Sequence, residues 1–247
     1  MRNLKITLEY DGTDYCGWQA QNRYKQKPSI QSTLKKALYK ILREKIDIIG
    51  SGRTDAGVHA LAQVANFRTK SKIPLNKLQL ALNNNLPADI VITKIEEARP
   101  DFNSCFDALS KVYRYTILNR SYPSAQLRNN AYFRSYPFDI QLMRQEARAI
   151  LGRHDFKAFQ AADKKPRSSI RTVKKVNIKK DGDLIYMDIE ADGFLYNMVR
   201  NIVGTLIEIG RGRFPKGSLA RILAAKERRF AGPAVPSCGL CLVKVKY

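Results

Sequence analysis

The spacing of apolar residues restricts this chain to strands and amphipathic helices in a definite order. Residues Leu4–Glu9 alternate between apolar and polar, which predicts a strand, and apolar residues at helical spacing after Ser29 predict a helix with Ser29 as its N-cap. The next elements are predicted to be two strands, a short helix and a strand: Ile46–Ile49, Gln63–Phe67, Pro74–Leu82 and Ile90–Ile95. The order is β-α-β-β-α-β, that of the split ferredoxin-like unit.

The same order of elements recurs in the second part of the chain, although no residue-level repeat accompanies it. The predicted elements are a strand, a helix, two strands, two helices and a strand: Val112–Leu118, Asp139–Gly152, Thr172–Ile178, Leu184–Ile189, Met198–Ile209, Lys216–Lys226 and Leu240–Val245. We therefore expect an α+β protein of two ferredoxin-like (RRM-like) βαββαβ halves, residues 1–105 and 106–247. Two such halves leave a cleft between them, and binding sites often lie in such clefts.

The charge of the chain indicates a polyanionic partner. Its 44 Lys and Arg against 22 Asp and Glu leave a formal net charge of +22. Because such an excess repels itself in the folded state, nucleic acid is favoured over anionic membranes, acidic proteins or a surface kept basic for solubility. Basic residues concentrate in Arg23–Lys45, Lys164–Lys180 and Arg211–Arg229. These stretches are consistent with a distributed phosphate-binding surface, while the alternative for each is a solvated face.

The cysteines and the N-terminus bear on the cellular compartment. Four cysteines are too few and too unevenly spaced for a disulfide framework. No apolar run follows the N-terminal charges or approaches membrane-spanning length, so we expect a cytoplasmic protein that is neither secreted nor membrane-embedded. Cys238 and Cys241 have zinc-knuckle spacing, but the sequence has no second pair, so we expect no metal.

The stretch from Gly50 to Ala60, between two predicted strands, carries the most chemical information. Three glycines in its first eight residues allow positive φ and close approach of the backbone to a ligand. Between them stand Arg53 and Asp55, a cation that can hold a phosphate and a carboxylate that can react as nucleophile or proton shuttle. The alternative is a turn with an ordinary surface ion pair. The residues alone leave both interpretations open.

The loop and four other blocks resemble one family. Gly52-Arg53-Thr54-Asp55-Ala56-Gly57-Val58-His59-Ala60 resembles the signature loop of the tRNA pseudouridine synthase A family. Further resemblance follows in order along the chain: Glu9–Thr13 with Gly17–Gln19, Lys111–Tyr115, His154–Phe156 with Phe159, and Asn197–Gly204. A loop and four ordered blocks that span both halves are far more specific than one short motif.

The resemblance implies a reaction, a substrate and a fold. The reaction detaches uracil from C1′ and rejoins it through C5, in uridines of the tRNA anticodon stem-loop (tRNA positions 38–40), without cofactor or metal. The implied fold joins two ferredoxin-like halves into one extended, mostly antiparallel sheet with a central active cleft. The implied assembly is a homodimer that binds tRNA in the cytoplasm.

The resemblance also assigns roles to four residues. Asp55 is the catalytic nucleophile, which attacks either the base or C1′. Tyr113 stacks on the base, and its hydroxyl is a candidate for moving the C5 proton. Arg53 contacts a phosphate beside the target or fills the space left by a flipped base. Arg200 interrupts an apolar helix face and pairs with Asp55. From the residues alone, the alternative for Tyr113 is a core aromatic, and the alternative for each arginine is a solvated side chain.

Two other functions compete with this one. A non-catalytic RNA-binding protein of two RRM-like halves would need only the charge and the element order, although neither half has the RNP1 pattern of aromatics. A metal-dependent phosphoesterase would need clustered His and Asp ligands. The chain has only two histidines, His59 and His154, far apart in sequence, for which a structural or RNA-contacting role is expected.

Overall fold

The computed structural model describes residues 1–19, 27–162 and 168–247. These residues form an α+β protein of two units. The first unit comprises Met1–Leu109 together with Cys241–Tyr247, and the second comprises Ser110–Leu240. The opening residues of two predicted basic stretches, 23–26 and 164–167, lie outside the described residues.

The first unit follows the predicted order of elements. Its strands and helices are β1 (Arg2–Tyr10), α1 (Ile30–Leu42), β2 (Ile48–Gly50), β3 (His59–Thr69), α2 (Leu75–Asn85) and β4 (Ile90–Ala98). The strands are antiparallel in the order β4-β1-β3, and β2 pairs with the second half of β3. In β1, the alternate residues Leu4, Ile6 and Leu8 are completely buried, which explains the strand alternation seen in the sequence.

Helix α1 begins where the sequence predicts. The Ser29 hydroxyl accepts a hydrogen bond from the Ser32 N–H at 3.1 Å, and the Ser29 N–H donates to the Ser32 hydroxyl at 3.1 Å. This reciprocal cap satisfies backbone donors that the first turn leaves without helical partners. The helix buries Ile30, Leu34 and Leu38, the residues whose spacing predicted it.

The second unit also contains the strands and helices predicted for it, except the last strand. Its elements are β5 (Ser110–Asn119), β6 (Tyr132–Arg134), α3 (Ile140–Ala147), β7 (Gly152–Asp155), β8 (Ile170–Asp181), β9 (Leu184–Ala191), α4 (Met198–Gly210) and α5 (Ser218–Ala225). Four strands are antiparallel in the order β5-β9-β8-β7, and the short β6 runs parallel to β5. Both units are therefore dominated by antiparallel pairing.

One helix end and two short strands differ from expectation. Asp139 caps α3 as expected, with its carboxylate accepting from the Leu142 N–H at 2.8 Å, but the helix ends at Ala147. A 3-10 turn (Arg148–Ile150) follows, and Gly152, with φ of 94°, starts β7 instead of ending the helix. The strand β6 has three residues and β7 has four polar or glycine residues, so neither shows apolar alternation.

The last strand belongs to the first unit. Strand β10 (Leu240–Lys246) runs parallel to β3, with Cys241 opposite His59 and Leu242 opposite Ala60. The sequence predicts a single boundary after residue 105, whereas the observed division follows Leu109 and returns the C-terminal residues to the first unit. Strand pairing between residues so far apart leaves no trace in local periodicity. Within the described ranges, no helix is long and apolar enough to cross a membrane.

Candidate active site

The predicted catalytic loop connects β2 to β3 and is fixed at its base by a buried amide. We call residues 51–58 the Asp55 loop. The buried Ser51 hydroxyl donates to Gln63 Oε1 at 2.6 Å, and Gln63 Nε2 donates to the Gly52 carbonyl at 3.0 Å. The Ser51 N–H donates to the Val64 carbonyl at 2.8 Å. Because these buried polar groups are paired, the loop leaves the sheet at a defined position.

The loop separates buried from accessible side chains around Asp55. Thr54 and Val58 are buried, Arg53 is exposed and Asp55 is half-buried. The Asp55 carbonyl accepts a hydrogen bond from the Val58 N–H at 3.2 Å, and Gly57 has φ of 74°, a conformation that favours glycine. The loop therefore leaves Asp55, the predicted nucleophile, partly accessible, and it leaves Arg53, the predicted phosphate-binding residue, exposed to solvent.

An N-terminal segment holds the backbone next to Asp55. Tyr10 Oη and Thr54 Oγ1 share a buried hydrogen bond of 2.9 Å, in which either hydroxyl can donate. The Trp18 N–H donates to the Thr54 carbonyl at 3.1 Å. Gly17 has φ of 100° and lies so close that a Cβ there would stand 2.4 Å from the Thr54 carbonyl oxygen. Burial raises the pKa of Tyr10 above its ordinary value, so its hydroxyl stays protonated.

His59 links a second block of sequence to the loop. Its buried Nδ1 accepts from the Gly12 N–H at 3.1 Å and lies 3.1 Å from Asp11 Oδ1. Burial is the largest single influence on the pKa of Asp11 and raises it. The hydrogen bonds from Thr13 and the neighbouring His59 together outweigh burial, so the pKa of Asp11 lies below its ordinary value. These contacts support the structural role expected for His59. Sequence blocks that lie far apart along the chain thus meet around Asp55 inside the first unit.

Tyr113 lies in the second unit, on β5. It is buried, and its ring meets that of Phe194 edge to face, with centroids 5.0 Å apart. Tyr115 occupies the same face of β5 and donates from its hydroxyl to the Pro236 carbonyl at 2.8 Å. The packing of Tyr113 matches the core-aromatic alternative, and its role toward a substrate remains a prediction.

Arg200 also lies in the second unit, on the largely buried helix α4. Its Nε donates to the Val235 carbonyl at 2.7 Å, and its Nη1 donates to Asn197 Oδ1 at 2.9 Å. Asn197 precedes the helix with φ of 59°. The guanidinium is therefore half-buried and oriented by its own unit, unlike the solvated arginine of the alternative interpretation. Its predicted pairing with Asp55 stays a prediction.

Sequence reasoning missed the residues that support the loop. Gln63 is completely buried in β3 next to the buried Val64 and Ala65. A polar residue in an apolar strand is the one signal that could have indicated it, since buried polar groups need partners. Tyr10 and Thr54 are 44 residues apart, so no local pattern joins them.

No metal-binding cluster stands out among the described side chains. Across residues 1–19, 27–162 and 168–247, no group of three or more His, Cys, Asp or Glu could hold a metal ion. The four cysteines are free thiols: Cys16, Cys105, Cys238 and Cys241. The groups that hold the Asp55 loop in place include the hydroxyls of Ser51 and Thr54, the Gln63 amide and backbone donors.

Comparison with known proteins agrees with the resemblance of the loop. The family model described as tRNA pseudouridine synthase matches residues 6–107 and 147–247. A tRNA pseudouridine synthase A 2 from Clostridium perfringens (strain 13 / Type A) is 45% identical over 247 residues, which is 100% of both chains. Proteins named tRNA pseudouridine synthase A from Thermoanaerobacter sp. (strain X514) and Acetivibrio thermocellus are 46% and 44% identical, again over 100% of both chains.

The family match covers the predicted catalytic loop and most of both units. It includes the Asp55 loop, its supports Tyr10 and Gln63, and the helix of Arg200. The three relatives are 44–46% identical to this chain, and each alignment spans the whole of both proteins. The chain therefore belongs to the tRNA pseudouridine synthase family and is an enzyme that isomerises uridine in tRNA.

Proposed function

We propose that this enzyme converts uridine to pseudouridine in the anticodon stem-loop of tRNA, at tRNA positions 38–40, with Asp55 as the nucleophile. The observation that carries the proposal is that Asp55 is partly accessible on a loop whose backbone is held on both sides. Asp55 is partly accessible, while the buried Thr54 before it and the buried Val58 after it hold the backbone in place. A reactive group on a fixed loop keeps its geometry when the substrate arrives.

The reaction balances without an added reagent. The carboxylate bonds to C1′ or to the base, the N1–C1′ bond breaks, and the uracil turns. C5 then bonds to C1′, and the bond from the carboxylate to C1′ or to the base breaks, which restores Asp55. C5 then loses its proton, and N1 gains one. Because no electrons are gained or lost overall, a nucleophile and a group that accepts the C5 proton suffice, and we propose that no cofactor or metal takes part. We expect EDTA to leave the activity unchanged; loss of activity in EDTA with recovery in zinc would contradict this.

Three further residues contribute to substrate binding in this proposal. Arg53 is exposed beside Asp55 in sequence and is suited to a backbone phosphate. The Arg200 guanidinium is half-buried and oriented by Val235 and Asn197, and its pairing with Asp55 is proposed on the family resemblance. Tyr113 contacts the base, and its hydroxyl takes part in moving the C5 proton. The proposed role of Tyr113 is supported by the resemblance of the segment Lys111–Tyr115 to the corresponding motif of the family.

The finer fold and the assembly are part of the same proposal. We assign each unit a ferredoxin-like fold, and in the first unit the β-α-β-β-α-β order with strand order β4-β1-β3-β2 supports this. We also propose a homodimer that works in the cytoplasm, on the family resemblance. Light scattering at assay concentration checks the dimer, and a monomer mass would contradict it.

The decisive variant is Asp55→Asn, which removes the charge and keeps the shape. We expect loss of tritium release from tRNA labelled at uridine C5, with tRNA binding and thermal melting close to wild type. Asp14→Asn is the matched control, because Asp14 lies in the same unit with its side chain 81% exposed, and it should keep full activity.

The outcomes separate the competing functions. Wild-type release by a folded Asp55→Asn protein would remove the carboxylate from the mechanism. Wild-type protein that binds tRNA without forming pseudouridine would favour the non-catalytic RNA-binding alternative. Tyr113→Phe refines the mechanism: inactivity with retained binding assigns the hydroxyl to proton transfer, whereas full activity leaves the ring only a contact role.

A further inference from the structure

A pocket of about 330 Å³ opens on the surface of the second unit beside α5. Four of its lining residues are apolar and two are polar: Phe214, Ile222, Ala225 and Phe230, with Ser218 and Arg221. Phe230 is 47% exposed, which is unusual for so large an apolar side chain. An apolar hollow with an exposed aromatic wall is a candidate binding site.

The backbone that carries the two aromatic residues is anchored. Phe230 ends a short turn in which Arg228 donates to the Ala231 carbonyl at 3.1 Å and to Asn201 Oδ1, on α4, at 3.0 Å. The Phe214 N–H donates to the Glu208 carbonyl at 3.2 Å. The pocket is therefore formed before a ligand arrives, which lowers the entropy lost on binding.

The segment that contributes the lining residues of this hollow is strongly basic. Residues 211–230 contain seven Lys or Arg and one acid, Glu227. Some of these cations are paired, as Arg229 is with Glu227 at 2.6 Å and Lys226 with Asp155 at 3.5 Å. Lys216 and Arg221 are exposed and form no ion pair with any residue of the described ranges. Their charges remain available to an anionic ligand.

We propose that this pocket binds an unpaired nucleobase of the tRNA, with the adjoining phosphates on Lys216 and Arg221. Aromatic side chains that stack on splayed bases, next to cations that follow the backbone, are the usual means of holding single-stranded RNA. The site is additional to the Asp55 loop. The proposal rests on tRNA as the substrate and does not depend on which group is the nucleophile.

The charge argues against a second copy of the chain as the occupant. In a symmetric dimer built on this patch, the same surface of each copy would face the other. Seven cations would then stand against seven, while three acids, Glu208, Asp155 and Glu227, pair with some of them in each copy. Cations remain in excess on both sides, and like charges in contact disfavour association. A polyanion meets the same patch with complementary charge.

The main test is Phe230→Ala, measured by tRNA binding at fixed salt. We expect the dissociation constant to rise by about 5- to 100-fold, the loss of one stacked base, with kcat at saturating tRNA unchanged. Phe106→Ala is the matched control, because Phe106 is 85% exposed in the first unit and does not line this pocket, and its binding should match wild type. Arg221→Gln should weaken tRNA binding. It should also reduce the slope of log binding constant against log salt concentration by about the contribution of one phosphate contact.

A second variant gives a direct signal of stacking. The chain has one tryptophan, Trp18, which is only 2% exposed, so Phe230→Trp adds the one exposed tryptophan. We expect tRNA to quench its fluorescence, with affinity close to wild type. The quenching measurement does not depend on catalysis. It also does not require the Phe230→Ala variant to fold.

Three results would overturn the proposal. The first is an unchanged dissociation constant for Phe230→Ala, and the second is unquenched fluorescence of Phe230→Trp in saturating tRNA. The third is loss of a dimer by Phe230→Ala in light scattering, which would assign the pocket to contact between copies. Failure of the proposed function shows itself separately, as wild-type protein that forms no pseudouridine.

Discussion

Replacing Thr54 with valine removes one hydroxyl next to the proposed nucleophile and leaves the shape of the side chain unchanged. The lost group is one half of the buried 2.9 Å hydrogen bond between Thr54 and Tyr10. This bond links the residue before Asp55 to the end of β1. We expect Thr54→Val to release the loop locally while the rest of the fold persists.

The magnitude follows from the burial of the partner. A buried hydroxyl that loses its only partner costs about 1–3 kcal/mol of stability. Because the Gln63 side chain also interacts with the Tyr10 hydroxyl, we expect the lower end, about 1 kcal/mol. A displacement of the Asp55 carboxylate by about 1 Å would lower kcat by up to about 100-fold. The KM for tRNA should change little, since the basic surface is untouched.

The assay combines tritium release with thermal melting of four proteins. Thr54→Ser retains the hydroxyl and should keep most of the activity. Tyr10→Phe should resemble Thr54→Val. The double variant removes both hydroxyls, so it should regain most of the lost stability and stay slow. A wild-type kcat for Thr54→Val, or stability losses that simply add in the double variant, would refute the role of this bond.

Three other predictions follow from described contacts. Gly17→Ala should cost clearly more stability than Gly212→Ala and should lose activity, since both have positive φ but only the first would place a Cβ 2.4 Å from the Thr54 carbonyl; melting and tritium release check this. The tRNA dissociation constant should rise steeply between about 50 and 200 mM salt, and a constant value in filter binding would contradict the phosphate-binding surface. The hydrogen bond from Ser169 holds the pKa of Asp155 below its usual value, so this carboxylate stabilises the fold above about pH 4 and loses that contribution as the pH falls through its folded pKa. Asp155→Asn should therefore show a smaller difference in melting temperature between about pH 7 and pH 3 than wild type.

The sequence alone was sufficient for most of the helices and strands and for the loop motif. Strand β1, helix α1 and the cap at Ser29 follow from the two- and 3.6-residue periodicities and from local capping chemistry, which act between near neighbours. The family was identified from a contiguous loop motif and four further blocks, and the catalytic role of Asp55 is a prediction from that resemblance. The net charge, a sum over the whole chain, indicated a polyanionic partner without any knowledge of the fold.

Tertiary structure alone decided which distant residues support the chemistry. Tyr10 meets Thr54 across 44 residues, and β10 joins β3 from the far end of the chain. The hollow between Phe214 and Phe230 likewise exists only because the chain folds α5 and the turn after it around one space. Hydrogen bonds and side-chain contacts of this kind depend on which distant segments the fold brings together. Local periodicity contains no information about those long-range contacts.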